Sequence, residues 1–164
     1  MPSVRDAFLA DFDFEAANSR RLLERVPDDK LGWRPHPKST PLGALAQHIV
    51  GLQGMPVMVL GTDTLDVADS PPQPTPGSRQ EMLALFDQNV EATRAALATT
   101  TDDGLQQPWS LTYKGQSLFT MPRIDALRQF MLHHSIHHRA QLGVYLRLND
   151  VPLPGMYGPT ADEA

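Results

Sequence analysis

The sequence predicts an all-α fold, a four-helix bundle with long connections. Four stretches keep their apolar residues at the three-and-four spacing of one helical face. Two long connections rich in turn residues separate them. With 164 residues and 41% apolar composition the chain can bury one sizeable core, so 1–164 reads as one domain. Amphipathic helices of this kind hide their apolar stripes against one another, and sites in such bundles are built from inward side chains on facing helices.

The first helix spans Val4 to Val26, with Phe8, Phe12, Ser19, Leu22 and Val26 on one face. Pro27, Asp28 and Asp29 stop it. Lys30 to Pro41 holds three prolines in twelve residues and reads as a loop. Trp33 is expected to pack over the bundle end, and His36, between two prolines, to lie on the surface. Thr40-Pro41 is an N-cap followed by proline at the first helical position. The second helix runs from Pro41 to about Gly54 or Met55, with Leu42, Leu45, Ile49 and Leu52 inward and His48 inside that stripe. Pro56 ends or kinks it, with room for one more turn over Val57 to Leu60. Gly61 to Gly77 reads as a linker; its run SPPQPTPGS excludes helix and central strand and suits an extended connection along the outside. Ser78-x-x-Glu81 is a capping box for a third helix reaching about Ala98, with Met82, Leu85, Phe86, Asn89, Thr93, Ala96 and Leu97 as its buried face. Thr99 to Asp103 ends it. LTYKGQSLFTM, near 109–120, alternates like a short hairpin around Lys114-Gly115. Met121-Pro122 opens the fourth helix, Arg123 to Leu148, which Asn149 and Asp150 close. The tail VPLPGMYGPTADEA is extended, with little reason to order beyond Tyr157. No internal repeat is visible.

The fourth helix carries the chemistry. Four of the six histidines fall within 133–138. On a regular helix measured from Leu127, His134 and His138 lie within roughly 20° of the centre of the apolar stripe. His137 lies roughly 80° away, on the flank, and His133 roughly 120° away. Two imidazoles at i and i+4 project side by side and can share one divalent cation. The alternative is a pair of core histidines satisfied by backbone or water, since burying them without partners is costly. Ser135 follows His134 where a zinc protease would need Glu, which excludes the H-E-x-x-H reading. His48 is a third inward histidine. His133 and His36 are not expected to be ligands.

A formal net charge of −5 with no Lys/Arg block argues against nucleic acid or an anionic membrane as partner. The chain has no cysteine, so a transition metal must sit on His, Asp or Glu. The amino terminus lacks a basic run followed by an apolar one, and Leu42 to Gly61, the most apolar stretch of its length, is interrupted by Gln47, His48, Gln53 and Pro56. The expectation is a cytoplasmic protein without a membrane span.

Nearly the whole chain resembles the DinB/YfiT-like family of metal-dependent bundle proteins. The resemblance rests on LGWRPHPKST after the first helix, LGALAQHIVGLQ with His48, and HSIHHRAQLGVYLRLNDVPLP, which resembles the family's H-x-x-H-H-R-G-Q-L pattern and following Y-L-R. Ala140 stands where the family often has Gly. The resemblance implies a long-connected up-down bundle, a divalent metal on His48, His134 and His138, and often a homodimer. It matches His137 and Arg139 to the accompanying H-R, and implies transferases, isomerases and related enzymes that use low-molecular-weight thiols.

The residues agree with this. Three neutral imidazoles leave a four-coordinate metal one open position, which marks catalytic sites. An all-nitrogen set suits Zn, Ni, Fe or Cu and disfavours Ca or Mg. His137 is the nearest titratable candidate for a catalytic base; hydrogen bonding at the helix flank is its other role. Arg139 either anchors an acidic ligand group or makes a surface or interface salt bridge. Gln141 and Tyr145, on the inward stripe, are candidates to line the pocket or support the ligands, with ordinary packing as the alternative for Tyr145. Two functions remain open: a metal-dependent enzyme acting on a small molecule by thiol transfer or hydrolysis, and a non-catalytic metal-stabilised stress or ligand-binding bundle. An open coordination position favours the first.

Overall fold

The computed structural model describes residues 3–69 and 77–163. Most of the proline-rich run, 70–76, and with it the expected extended connection, lies outside the described residues. The chain is mostly helical, with one small sheet.

Helix α1 (Val4–Leu23) starts at Ser3, whose hydroxyl accepts from the Asp6 amide. The Asp102 carboxylate takes two further first-turn amides, those of Val4 and Arg5, at 3.0 and 2.9 Å. Phe8, Phe12, Ala16, Ser19 and Leu22 form its buried stripe. The helix stops three residues earlier than expected: Arg25 and Val26 donate to Leu22 and Leu23 carbonyls, a tighter turn leading into Pro27.

Helix α2 (Leu42–Gly61) is the central element, packed on α3 (Arg79–Ala98) and on the carboxy-terminal helix. The expected Thr40 cap does not form. Pro41 takes the cap position, and the preceding loop satisfies the first amides: Leu42 donates to Trp33 O and Gly43 to Leu31 O, at 2.8 and 2.9 Å. A Cβ at Gly43 would meet Leu31 Cβ and O at 3.0 Å, so a larger residue there would push the loop back by a few tenths of an ångström. Pro56 sits buried inside the helix, which continues to Gly61. Helix α3 starts at Ser78, whose Oγ accepts from the Glu81 amide, one half of the expected capping box. Val90, absent from the expected face, is buried there; Leu85, Asn89 and Ala96 are half-buried.

A short helix α4 (Asp102–Gln106), unforeseen in the sequence, leads into the sheet. The expected hairpin is present: β2 (Pro108–Tyr113) pairs antiparallel with β3 (Gln116–Pro122). Lys114 and Gly115 turn it with φ of 51° and 76°, the left-handed pair of a two-residue hairpin. The stretch read as linker supplies a third strand, β1 (Thr64–Asp66), parallel to β2. Asp66 secures it by accepting from the Lys114 and Gly115 amides of the turn at 3.0 and 2.7 Å. Trp109 buries fully between sheet and helices.

The fourth helical stretch has three parts: α5 (Arg123–Ala126), a π-helical segment (Leu127–His133) and α6 (His134–Arg147). α1 packs on α3 and α6. The tail is ordered past Tyr157, contrary to expectation. Its acidic end folds back: Asp162 pairs with Arg147 and accepts from the Leu153 amide at 2.8 Å, and Glu163 accepts from the Gly155 amide at 2.7 Å.

Candidate metal centre

A π segment accommodates one residue more than an α-helix over the same rotation, so everything after it is turned by about 100° from the regular wheel. That shift is visible in α6. Its fully buried residues are Ser135, Arg139, Leu142 and Leu146. His134 and His138, expected at the centre of the stripe, are half-buried on its flank. The same shift carries Arg139 to the centre of the stripe.

The flank faces α2, where half-buried His48 stands between buried Gln47 and Ile49. The rings of His48 and His138 and of His134 and His138 have centroids 4.6 Å apart in each case, and those of His48 and His134 are 5.0 Å apart. All three present Nε2 inward: His134 Nε2 lies 2.8 Å from His138 Nε2 and 3.3 Å from His48 Nε2. The outer nitrogens of two rings face acceptors. His134 Nδ1 lies 3.3 Å from Phe130 O, and His138 Nδ1 2.8 Å from Gln141 Oε1. Protons held at both Nδ1 positions leave unprotonated Nε2 lone pairs converging. Such lone pairs repel unless a proton or a cation lies between them. Tetrahedral ligation at zinc–nitrogen distances of about 2.0–2.1 Å separates ligand nitrogens by about 3.3 Å, so a modest opening of the His134–His138 pair fits an ion. Among the described residues these three form the one group of three or more potential ligands whose ligand atoms lie within 4.8 Å of one another.

Electrostatics keep His48 and His134 neutral. Burial, then the neighbouring His138 and His134, hold His48 down to about 4. Burial and the neighbouring His138 likewise lower His134, against the Phe130 carbonyl, which favours the charged form. Neutral imidazole is the ligating form.

The other expected residues scatter. His133 and His36 are exposed, and His36 Nδ1 accepts from the Lys38 amide. His137 is exposed, its ring edge-on to His138 at 4.9 Å. Gln141 is exposed but touches His138 as described. Tyr145 is half-buried, edge-on to Trp33 at 5.6 Å, which places Trp33 against α6. Arg139, 3% exposed, makes an internal ion pair with Glu15, and also donates to Glu15 O, Ser19 Oγ and Tyr157 Oη. The sequence pattern does not single out Glu15 or the buried bond from Gln53 Nε2 to Ser135 Oγ. Glu15 lies four residues before Ser19, and that spacing on the first helix was the available signal.

The DinB superfamily's model matches residues 11–142. A Bacillus subtilis (strain 168) protein, named uncharacterized protein YrdA, is 32% identical over 159 residues, covering 96% of this chain and 90% of its own. Among solved structures, a DinB-like protein from Bacillus cereus ATCC 10987 is similar with a TM-score of 0.74 at 25% identity, over 94% of this chain and 98% of that one. A DinB-like protein from Bacillus subtilis, YjoA, is similar in fold with a TM-score of 0.71 at 21% identity, over 92% of this chain and 97% of that one.

Proposed function

The chain belongs to the DinB superfamily, and from that premise we propose that it binds a divalent transition metal through His48, His134 and His138 and uses it as an enzyme on a small molecule. The observation that carries the reading is the convergence of three Nε2 atoms from two helices, two of them with Nδ1 facing an acceptor. The set fits Zn, Ni or Fe, and three ligands leave a position open to an exogenous ligand. The half-burial of all three rings supports access from solvent. A metal there supplies positive charge that favours the deprotonated form of a thiol or water held beside it. The chain's own part is to present neutral imidazoles and fix their tautomers. The reaction class we assign is thiol-dependent transfer or hydrolysis, with a low-molecular-weight thiol as co-substrate. His137, beside His138, is the candidate base. Arg139 is committed to Glu15 and supports α6 from behind; Gln141 orients His138, and Tyr145 packs on Trp33.

We further read the four long helical stretches as a four-helix bundle, and the chain as a cytoplasmic homodimer without nucleic-acid or membrane partners. The net charge of −5 supports the absence of nucleic-acid and anionic-membrane partners. Helix α2 is long and apolar enough to cross a membrane, but 61% of its apolar window is buried inside the fold.

Metal analysis of protein purified without chelator or nickel resin tests the site. His48→Ala, His134→Ala and His138→Ala should each lose bound metal, while His133→Ala and His36→Ala keep it. Full retention in His134→Ala refutes the ligand set. In cobalt-substituted protein, a small thiol should change the ligand-field spectrum and add a sulfur-to-metal charge-transfer band. If millimolar thiol, azide and imidazole all leave the spectrum unchanged, the site is closed and the non-catalytic, metal-stabilised reading replaces the enzyme.

A further inference from the structure

The π segment ends directly at His134, and π turns are rare features that concentrate at functional sites. Its presence is not needed to close the core. With one residue removed and the stretch continued as α-helix, Ile124, Leu127, Leu132, Ser135, Arg139, Leu142 and Leu146 all fall within about 60° of one line. The extra residue changes instead which groups bond to which backbone carbonyl. In an α-helix the amide of residue 134 donates to the carbonyl of residue 130. Here the His134 amide donates to Met131 O, and Phe130 O lies 3.3 Å from His134 Nδ1. The Phe130 ring is meanwhile stacked on Phe119 of β3, centroids 4.6 Å apart and planes within 2°, so the sheet holds the residue whose carbonyl is used.

We propose that the π turn is a positioning element for the metal centre: it offers the Phe130 carbonyl to His134 Nδ1–H, which leaves Nε2 unprotonated and aimed at His48 and His138. The role differs from that of Gln141 at His138. An exposed side chain orients one ligand, whereas a main-chain group clamped by an aromatic stack orients the other. A backbone carbonyl held this way selects the ligating tautomer before any metal arrives, as outer partners of metal-bound histidines do generally. The inference rests on the metal reading above, but its first readout does not need a metal.

Long-range proton–nitrogen NMR of the metal-free protein reads each histidine's tautomer. His134 should carry its proton on Nδ1. Deleting Gln129, which is exposed, should restore a continuous α-helix. The expected results are an unchanged or higher melting temperature without metal, a mixed tautomer at His134, and roughly tenfold weaker zinc binding. Gln129→Ala, which keeps the chain length, should match the wild type in all three. A wild-type His134 protonated on Nε2 overturns the proposal. So does a deletion variant with unchanged tautomer and a zinc Kd within about twofold of wild type, where the tenfold loss is the expectation. A deletion variant that fails to fold also overturns it, because the core should close without the extra residue. Wild-type protein that binds no divalent metal sinks the metal reading instead, and the tautomer still decides this one.

Discussion

Arg139→Met should destabilise the fold without removing a metal ligand, and the structure sets the size. The Arg139 side chain is 4% exposed and that of its partner Glu15 is 12% exposed. The guanidinium also donates to Glu15 O at 2.9 Å, Ser19 Oγ at 3.2 Å and Tyr157 Oη at 2.6 Å. Methionine replaces the stem but leaves the Glu15 carboxylate buried without its cation. Removing one partner of a buried pair costs about 3–5 kcal/mol. The Tyr157 hydroxyl, which donates to Glu15 at 2.8 Å, remains and favours the lower end. For a chain of this size each kcal/mol moves Tm by about 2–4 °C, so about 3 kcal/mol predicts a fall of about 6–12 °C. The surface pair offers a control: Arg147 and Asp162 are 47% and 23% exposed, and Arg147→Met should leave Tm nearly unchanged. Thermal and denaturant melts of both variants, with Glu15→Gln and the Glu15→Gln/Arg139→Met double variant, complete the assay. The two losses should overlap in the double variant, since each removes the same pair. A fall below about 1 kcal/mol in Arg139→Met, or strict additivity, refutes the buried-pair argument.

Chelation should lower Tm by about 5–11 °C if the metal had been present at about 100 times its Kd, worth about 2.7 kcal/mol. The metal-free protein should nonetheless keep its helical circular dichroism at 25 °C, because the core does not include the site; an apo form unfolded at that temperature contradicts this. Acid acts on the apo protein through His48, held at about 4 when folded against an ordinary 6.5. The unfolded chain therefore binds the proton first, so this contribution is complete above pH 6.5 and disappears as pH falls to about 4. The apo Tm of wild type should drop through that window more steeply than that of His48→Gln; parallel curves would remove His48 as the cause. Metal occupancy should fall over the same acid range, and occupancy unchanged at about pH 4 would exclude histidine ligation.

The sequence by itself determined the four long helical stretches, because apolar spacing reports burial wherever a helix is regular. It also determined the hairpin turn, since Lys114-Gly115 carries the left-handed backbone that such a turn demands. It singled out His48, His134 and His138, and their residue types, with no cysteine in the chain, limited the ligand chemistry. Tertiary structure decided the rest. Strand β1 exists through pairing with residues more than forty positions later, which no local pattern encodes. The cap of α2 comes from loop carbonyls that only the folded loop brings near, so Thr40 gives way to Leu31 and Trp33. The tail is fixed by Asp162 and Glu163 returning to amides eight or nine residues back. The largest displacement comes from the π turn. Wheel arithmetic assumes about 100° per residue throughout, and one extra residue before His134 rotates all that follows. Helix type there depends on what the flanking residues pack against, and for that reason the sequence named the histidines while only the fold set their direction.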